Sequence, residues 1–360
     1  MQSKGFSFEG QNIFIGIDVH LKQWSVAIMT ESGLVEKFSQ VSEAVVLSSH
    51  LKKKYPLGHY YSVYESGFCG FSVHYSLKTS GINNIVINAA DVPGTQKESL
   101  HKTDKIDALK LVKALRAGLL HPIYIPQLNT LADRELVRTR ETIVKDNVRW
   151  KVRIKHFLYR HGIKYPEKFA NPGTHWTIRF VQWLEEDVSE LIGKNKDALL
   201  QQISSYKQAR GQLLEITRKI RTMSKSSDYN SKMELLTSIP GIGFHTAITF
   251  LTEIGNIERF TNERELASFI GIVPTCHSSG EKENVGTMTF RGNKHLRKKL
   301  MESAWKAVHQ DTALAACYRK YCKTMDENKA IVRIARKLSN RILTVLKRKT
   351  KYVNETNAQH

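Results

Sequence analysis

Four carboxylates, Asp18, Glu65, Asp104 and Asp107, are set in contexts where chemistry is possible. Asp18 follows the apolar run Ile13-Phe14-Ile15-Gly16-Ile17, and Glu65 closes YYSVYE directly before Ser66-Gly67. Asp104 and Asp107 stand i,i+3 in HKTDKIDALKLVKAL (101–115), a spacing that sets both on one face of a helix. Taken singly, Asp18 reads as a turn cap, Asp104 as an N-cap and Asp107 as a first-turn acid favoured by the helix dipole. Taken together they read differently. Like charges brought close repel unless a divalent cation joins them, and hard oxygen donors select Mg²⁺ or Mn²⁺. Such ions activate and stabilise the two oxygens of an in-line phosphoryl displacement.

The elements that must position these acids are short. Strand-like runs fall at 13–18, 23–30, 34–39, 60–65 and 84–88, and helix-like runs at 42–54 and 70–80, the second ending at Gly81. Leading hairpin strands followed by β/α alternation predict a mixed sheet flanked by helices, which places ligands beyond its strand ends. In 101–115, Ile106, Leu109, Leu111, Val112 and Leu115 supply the faces to be buried. Residues 1–12 read as a polar leader.

Charge narrows the partner. The chain has 360 residues, and 55 Lys and Arg against 34 Asp and Glu leave a net charge of +21, a field that favours polyanions and nucleic acid first. No run of ~18 apolar residues and no signal-peptide core is present, so the expectation is a soluble cytosolic protein that neither spans nor binds a membrane. The four cysteines form no CxxC pair, which argues against a disulfide scaffold or a zinc knuckle.

From about Ile125 the pattern turns helical. RTRETIVKDNVRWKVRIKHFLYR (138–160) carries eight basic residues, Arg138, Arg149 and Arg153 among them, against Glu141 and Asp146. Val144, Val148, Val152, Ile154 and Leu158 form its apolar stripe. Breakers at Pro166, Pro172 and Gly173 separate it from a second helical set over 176–224, and the pair predicts an antiparallel helical hairpin or coiled coil. Its basic face is either a solvated surface or a phosphate track, with an oligomer interface on the apolar side.

After the serine-rich 224–232, the stretch 233–260 has two apolar helices around PGIG, a helix-hairpin-helix pattern. There Gly241 and Gly243 would let backbone amides approach a phosphate at a helix start. LASFIGIVP follows as a helix stopped by Gly271 and Pro274, then CHSSGE as a small polar loop, then FRGNKHLRKKL with five basic residues and no acid. Arg291, Asn293, Lys294, Arg297 and Lys298 of that segment are candidates for nucleic-acid contact. A serine of the loop, Ser278 or Ser279, is either a nucleophile toward phosphate beside stabilising cations or a loop residue bonding to backbone. The tail 329–351 carries nine basic residues and no acid along a helical apolar stripe, and NETNAQH ends the chain as an expected disordered segment.

The order GIDVH…YESG…KTDKIDA, with P-x4-SG-x5-G-x5-GN-x2-LR in the C-terminal half, resembles the IS110/IS1111 transposases, related to the Piv-type DNA invertases. The resemblance implies an RNase H-fold, RuvC-like domain whose Asp-Glu-Asp-Asp set is Asp18, Glu65, Asp104 and Asp107. It also implies a coiled-coil linker that mediates assembly, and a nucleophilic serine directly before the glycine, here Ser279. The expected fold is therefore α/β plus α: a RuvC-like domain at 1–124, a coiled-coil region at 125–228, and a mainly helical transposase domain with the helix-hairpin-helix at 229–360. The implied activity is DNA strand transfer between donor and target by a dimer or tetramer, guided by a structured non-coding RNA. Alternatives are a metal-only junction nuclease of the RuvC kind, a Piv-like invertase, and a non-catalytic nucleic-acid-binding protein.

Overall fold

The computed structural model describes residues 8–92, 104–279, 282–289 and 291–353. Residues 1–7 of the expected leader and all of NETNAQH (354–360) lie outside these, as do residues 280 and 281 of the serine segment. The chain divides into two compact units, 1–125 and 126–360.

The first unit is built on a five-stranded sheet in the order β3-β2-β1-β4-β5. Its strands are β1 (Asn12–Val19), β2 (Gln23–Thr30), β3 (Gly33–Val41), β4 (His59–Glu65) and β5 (Asn83–Ile87). The leading three are antiparallel, whereas β1, β4 and β5 run parallel. A central parallel pair needs cover on both faces, and strand periodicity supplies it. Ile13, Ile15 and Ile17 of β1 are fully buried in one core with Leu47 and Leu51 of α1 (Ala44–Lys54) and Leu77 of α2 (Ser72–Thr79). The alternate residues face α3 (Asp104–Arg116), where Ala108 and Val112 pack with Ala27 and Met29, and Leu111 packs with Val63 and Ile87. Of the apolar residues expected to be buried on this helix, Ile106 is instead exposed.

In the second unit α4 (Leu128–Arg160) and α6 (Lys196–Met223) run antiparallel, with the short α5 (Ile178–Trp183) in the connection between them. Ile154 and Leu158 near the end of α4 share a core with Leu199 and Ile203 near the start of α6, while Val137 shares another with Ile216 and Ile220. At 33 residues, α4 is ~50 Å long. The remainder is α7 (Asn230–Thr237), α8 (Phe244–Ile254), α9 (Glu263–Ile270), β6 (Pro274–Ser279), β7 (Lys282–Met288), α10 (Lys294–Gln310), α11 (Thr312–Cys322) and α12 (Glu327–Arg348).

One expectation is corrected here. Of the segment CHSSGE, read as a loop in a mainly helical region, Cys276–Ser279 lie in an antiparallel β6–β7 ribbon in which Ser279 is the register partner of Lys282. Its residues are polar on both sides of the strand, so the apolar alternation that announces a half-buried strand is missing. The ribbon is anchored at its base, where Thr289 N donates to Val273 O at 3.0 Å and Thr275 Oγ1 donates to Thr287 O at 3.0 Å. A Cβ on Gly286 would come within 2.4 Å of Thr275 Oγ1, which accounts for a glycine at this point.

Candidate active site

Register and periodicity bring Asp18 and Glu65 to one place. Ile17 pairs with Tyr64 in the parallel β1–β4 ladder, so the next residues, Asp18 and Glu65, end neighbouring strands at one level. Asp18 has the parity of Gly16, and Glu65 that of Val63, so both belong to the sheet face covered by α3.

The direction of α3 completes the arrangement. Arg116, at its C-terminal end, donates through Nη2 to Glu31 O at 2.6 Å. Glu31 follows β2, whose Met29 pairs with Phe14 near the start of β1. The opposite end of α3, with Asp104 and Asp107, therefore lies toward the strand ends that bear Asp18 and Glu65. Distances along the elements agree. Ala108 crosses over Gly16; Asp18 lies two residues on, ~7 Å along the strand, and Asp104 four residues back, ~6 Å along the helix.

Gly16 makes this closeness possible. A Cβ at residue 16 would lie 2.1 Å from the Ala108 carbonyl oxygen and 2.7 Å from Val112 N, so helix and strand could not approach as they do. Sequence reasoning assigned Gly16 no role. It also passed over His20, whose Nε2 lies 3.1 Å from Asp18 Oδ2 and which could have been noticed from its i+2 spacing. Asp18 keeps 23 % of its side chain exposed, and Asp107 is half-buried. These hard carboxylate oxygens are of the class that Mg²⁺ and Mn²⁺ prefer. Among the described residues no group of three His, Cys, Asp or Glu is close enough to hold a metal ion, and the Asp104 side chain lies outside them.

In the second unit, several residues expected at nucleic acid are engaged within the fold. Glu253 of α8 leaves 1 % of its side chain exposed. Arg138 donates to both its oxygens, at 2.7 and 2.8 Å, and Asn293 Nδ2 donates to Oε2 at 2.7 Å. Burial pushes the Glu253 carboxyl up, but the hydrogen bonds from Arg138 and Asn293 and the charges of Arg138 and Arg134 together outweigh it and hold the group below the usual range. Asn293 also caps α10, accepting from His295 N and Leu296 N.

The neighbouring glycines belong to the same knot. Gly271, at φ +83°, ends α9 in the left-handed conformation, and a Cβ on Gly292 would sit 2.6 Å from Gly271 Cα. Arg297 Nη2 donates to Arg291 O at 2.5 Å across this contact. Arg291 donates its own backbone N–H to Thr289 Oγ1 at 3.1 Å. The GN-x2-LR pattern is thus a joint between α9, the end of the ribbon and α10.

The PGIG turn joins α7 to α8, with Gly243 at the N-cap of α8. Gly241, at φ +87°, donates its amide to Gln310 Oε1 at 2.8 Å, and a Cβ there would meet Ser303 O at 2.5 Å. Gly241 is therefore required by packing against α10, and its amide is engaged in that packing. Arg149 and Arg153 lie on the exposed side of α4, Arg149 beside Asp146 at 2.7 Å and Arg153 over the Trp150 ring at 4.7 Å. Lys294 and Lys298 are exposed on the first turns of α10.

Comparison with known proteins relates the chain to transposases. Residues 15–162 match a family described as "Transposase", of the IS110 type with a DEDD domain, and residues 233–319 match the "Transposase IS116/IS110/IS902 family". The chain is 27 % identical to a putative transposase, y4qE, of Sinorhizobium fredii, over 81 % of this chain and 71 % of that protein. It is 26 % identical to the transposase for insertion sequence element IS1533 of Leptospira borgpetersenii, over 72 % of this chain and 74 % of that one. A pilin gene-inverting protein of Moraxella bovis is 32 % identical over 31 % of this chain and 35 % of its own length. The first family match spans Asp18, Glu65, Asp104 and Asp107, and the second spans Ser279 and the GN-x2-LR joint.

Proposed function

Given that the chain belongs to the IS110 family of transposases and is a DNA transposase, we propose that it cuts and rejoins DNA with Ser279 as nucleophile and Asp18, Glu65, Asp104 and Asp107 as the metal-holding set. The observation that supports this reading is the shared end of β1, β4 and α3: Asp18 and Glu65 end neighbouring strands on the face that α3 covers, and the N-terminal end of α3 lies toward them. A DEDD transposase domain implies dependence on a divalent metal, and we take the ion to be Mg²⁺, with Mn²⁺ able to replace it. When bound, it would supply Lewis-acid stabilisation of charge on the scissile phosphate.

The remaining chemistry falls to the chain. Ser279 Oγ attacks phosphorus, a serine–phosphate ester forms as a DNA phosphodiester bond breaks, and the displaced sugar hydroxyl leaves with the proton that the serine gives up. A hydroxyl of the second strand then attacks the ester, restoring a phosphodiester and returning the serine with its proton. His20 would orient the Asp18 carboxylate.

Arg149, Arg153, Lys294 and Lys298 would contact phosphates, with Arg291 and the Gly243 amide as further contacts. Arg138, Asn293, Arg297 and Gly241 would support it from within. The regions 1–124, 125–228 and 229–360 serve catalysis, assembly and strand engagement in this reading. Val148 and Val152 of α4 are 52 % and 48 % exposed, which supports an interface between copies of the chain, as a dimer or tetramer. A guide RNA encoded beside the gene would account for the +21 charge more fully than DNA alone. The enzyme would then work in the bacterial cytoplasm, at the nucleoid; among the described residues no helix is long and apolar enough to cross a membrane.

The test is trapping of a covalent protein–DNA adduct. The unsubstituted protein should give one with cleaved donor DNA, and Ser279→Ala should give none and no strand transfer. Should Ser279→Ala cut normally with no adduct in either protein, the serine mechanism fails and water-mediated, metal-only cleavage replaces it.

A further inference from the structure

A cationic recess of the second unit lies between α4 and α10. Arg140 and Lys145 come from α4, and Lys294, Lys298 and Lys299 from the first turns of α10, around a volume of about 230 Å³. That volume is below the range of ordinary small-molecule pockets and suits one compact group. One acid, Glu141, is in the lining; its Oε2 lies 2.5 Å from His295 Nδ1, and its Oε1 is buried with no hydrogen-bond partner among the described residues. Glu302, nearby on α10, answers Lys299 at 3.3 Å and Lys298 at 3.9 Å. Arg140 donates to the neutral Thr217 Oγ1 at 3.0 Å. Among the described residues no carboxylate pairs with Lys145 or Lys294.

The surroundings register the excess charge. Burial lowers the Arg140 guanidinium, and Arg221 lowers it further, with Glu141 opposing. His245 of α8 is lowered to about 4 by burial and by the charges of Arg140, Lys299 and Arg221. An anion between α4 and α10 would relieve this repulsion, and the α10 dipole, positive at Lys294, points the same way.

We propose that this recess seats one backbone phosphate of substrate DNA, held jointly by Lys145 of α4 and Lys294 of α10, with Arg140 and Lys299 behind it. The proposal rests on the reading that nucleic acid runs over this basic face, and it adds a defined seat shared by two helices. Lys294 lies only six residues beyond Met288, the end of the ribbon that bears Ser279. A phosphate fixed here would register the DNA against that ribbon.

The test is binding of the full chain to duplex DNA across a range of salt concentrations. Lys145 and Lys294 are exposed, so Lys145→Gln and Lys294→Gln should fold. Each should weaken binding about tenfold and flatten the dependence of log K on log salt by about 0.9, the release for one phosphate. The double variant should flatten it scarcely further, because both lysines hold the same phosphate. Arg149→Gln, on the exposed face, should add its own loss to either. A double variant that loses about twice the slope means separate phosphates and overturns the shared seat. Normal binding by the lysine variants, with Arg149→Gln weakened, removes the seat and leaves the nucleic-acid reading intact. An unsubstituted chain that binds no DNA removes both. Losses seen with RNA and not with DNA overturn the assignment to DNA.

Discussion

Glu253 and Asp18 are both carboxylates beside a packed helix, and the chain treats them in opposite ways. Glu253 leaves 1 % of its side chain exposed and is met by Arg138 and Asn293, with Arg134 close by at 3.8 Å. Asp18 stands at a strand end, 23 % exposed, with His20 beside it and Glu65 at the same level on the next strand. In the first case charge is balanced inside the chain and serves the fold. In the second, acids stand at the ends of neighbouring strands and at the end of α3 that lies toward them, a placement that packing of the core does not call for. Substitution should therefore separate the two sites: stability is lost at one, activity at the other.

The largest effect should follow from Asp18→Asn or Asp107→Asn. Each removes a negative oxygen from the gathered set, and strand transfer should fall by at least about a hundredfold. The melting temperature should change little, because Asp18 keeps 23 % of its side chain exposed and Asp107 is half-buried. Chelation of divalent ions should abolish the activity of the unsubstituted protein, and added Mg²⁺ should restore it. Asp18→Asn with full activity would break the comparison at its catalytic end.

Arg138→Gln tests the other end. It leaves the Glu253 charge buried without its bidentate partner; breaking a fully buried pair costs about 3–5 kcal/mol, and the loss here should be smaller, because Arg138 is 35 % exposed and Asn293 and Arg134 remain. Denaturant unfolding should record that loss, while the fraction still folded keeps its strand-transfer activity. A stable Arg138→Gln protein with weakened DNA binding would move Arg138 from the fold to the DNA surface.

The strands β1, β4 and β5, the helix bearing Asp104 and Asp107, and the paired long helices were legible because each writes its periodicity plainly. The placement of Asp18 beside Glu65 was legible only in part. Both were recognisable as strand ends, but their common level depends on the Ile17–Tyr64 register, a long-range pairing that no local pattern encodes. Gly16 was read merely as part of an apolar run, since the helix that demands it lies some ninety residues further along the chain. Arg138 looked like part of a basic face because its partner, Glu253, is 115 positions away. The β6–β7 ribbon escaped for the opposite reason: it has no apolar face by which a strand declares itself.

The smallest effect is expected at His245, and it sharpens the comparison from within the second unit. Its folded-state value is lowered to about 4 by burial and by the charges of Arg140, Lys299 and Arg221. A histidine in the unfolded chain titrates near 6.5. Between these values the unfolded chain takes up a proton that the folded chain does not, so stability falls as pH is lowered through that interval. The contribution is fully present above about 6.5. It declines toward about 4 and is lost below that value. Much of the group remains near solvent, which tempers the size of the effect. His245→Gln should flatten the stability profile over this interval and leave it unchanged at neutral pH. Duplex DNA should act in the same direction as the substitution, since a phosphate beside Arg140 and Lys299 would ease protonation of His245. Equal slopes with and without DNA would mean that the bound phosphates lie away from these cations, and that the charge excess around α10 serves some purpose other than holding the strand.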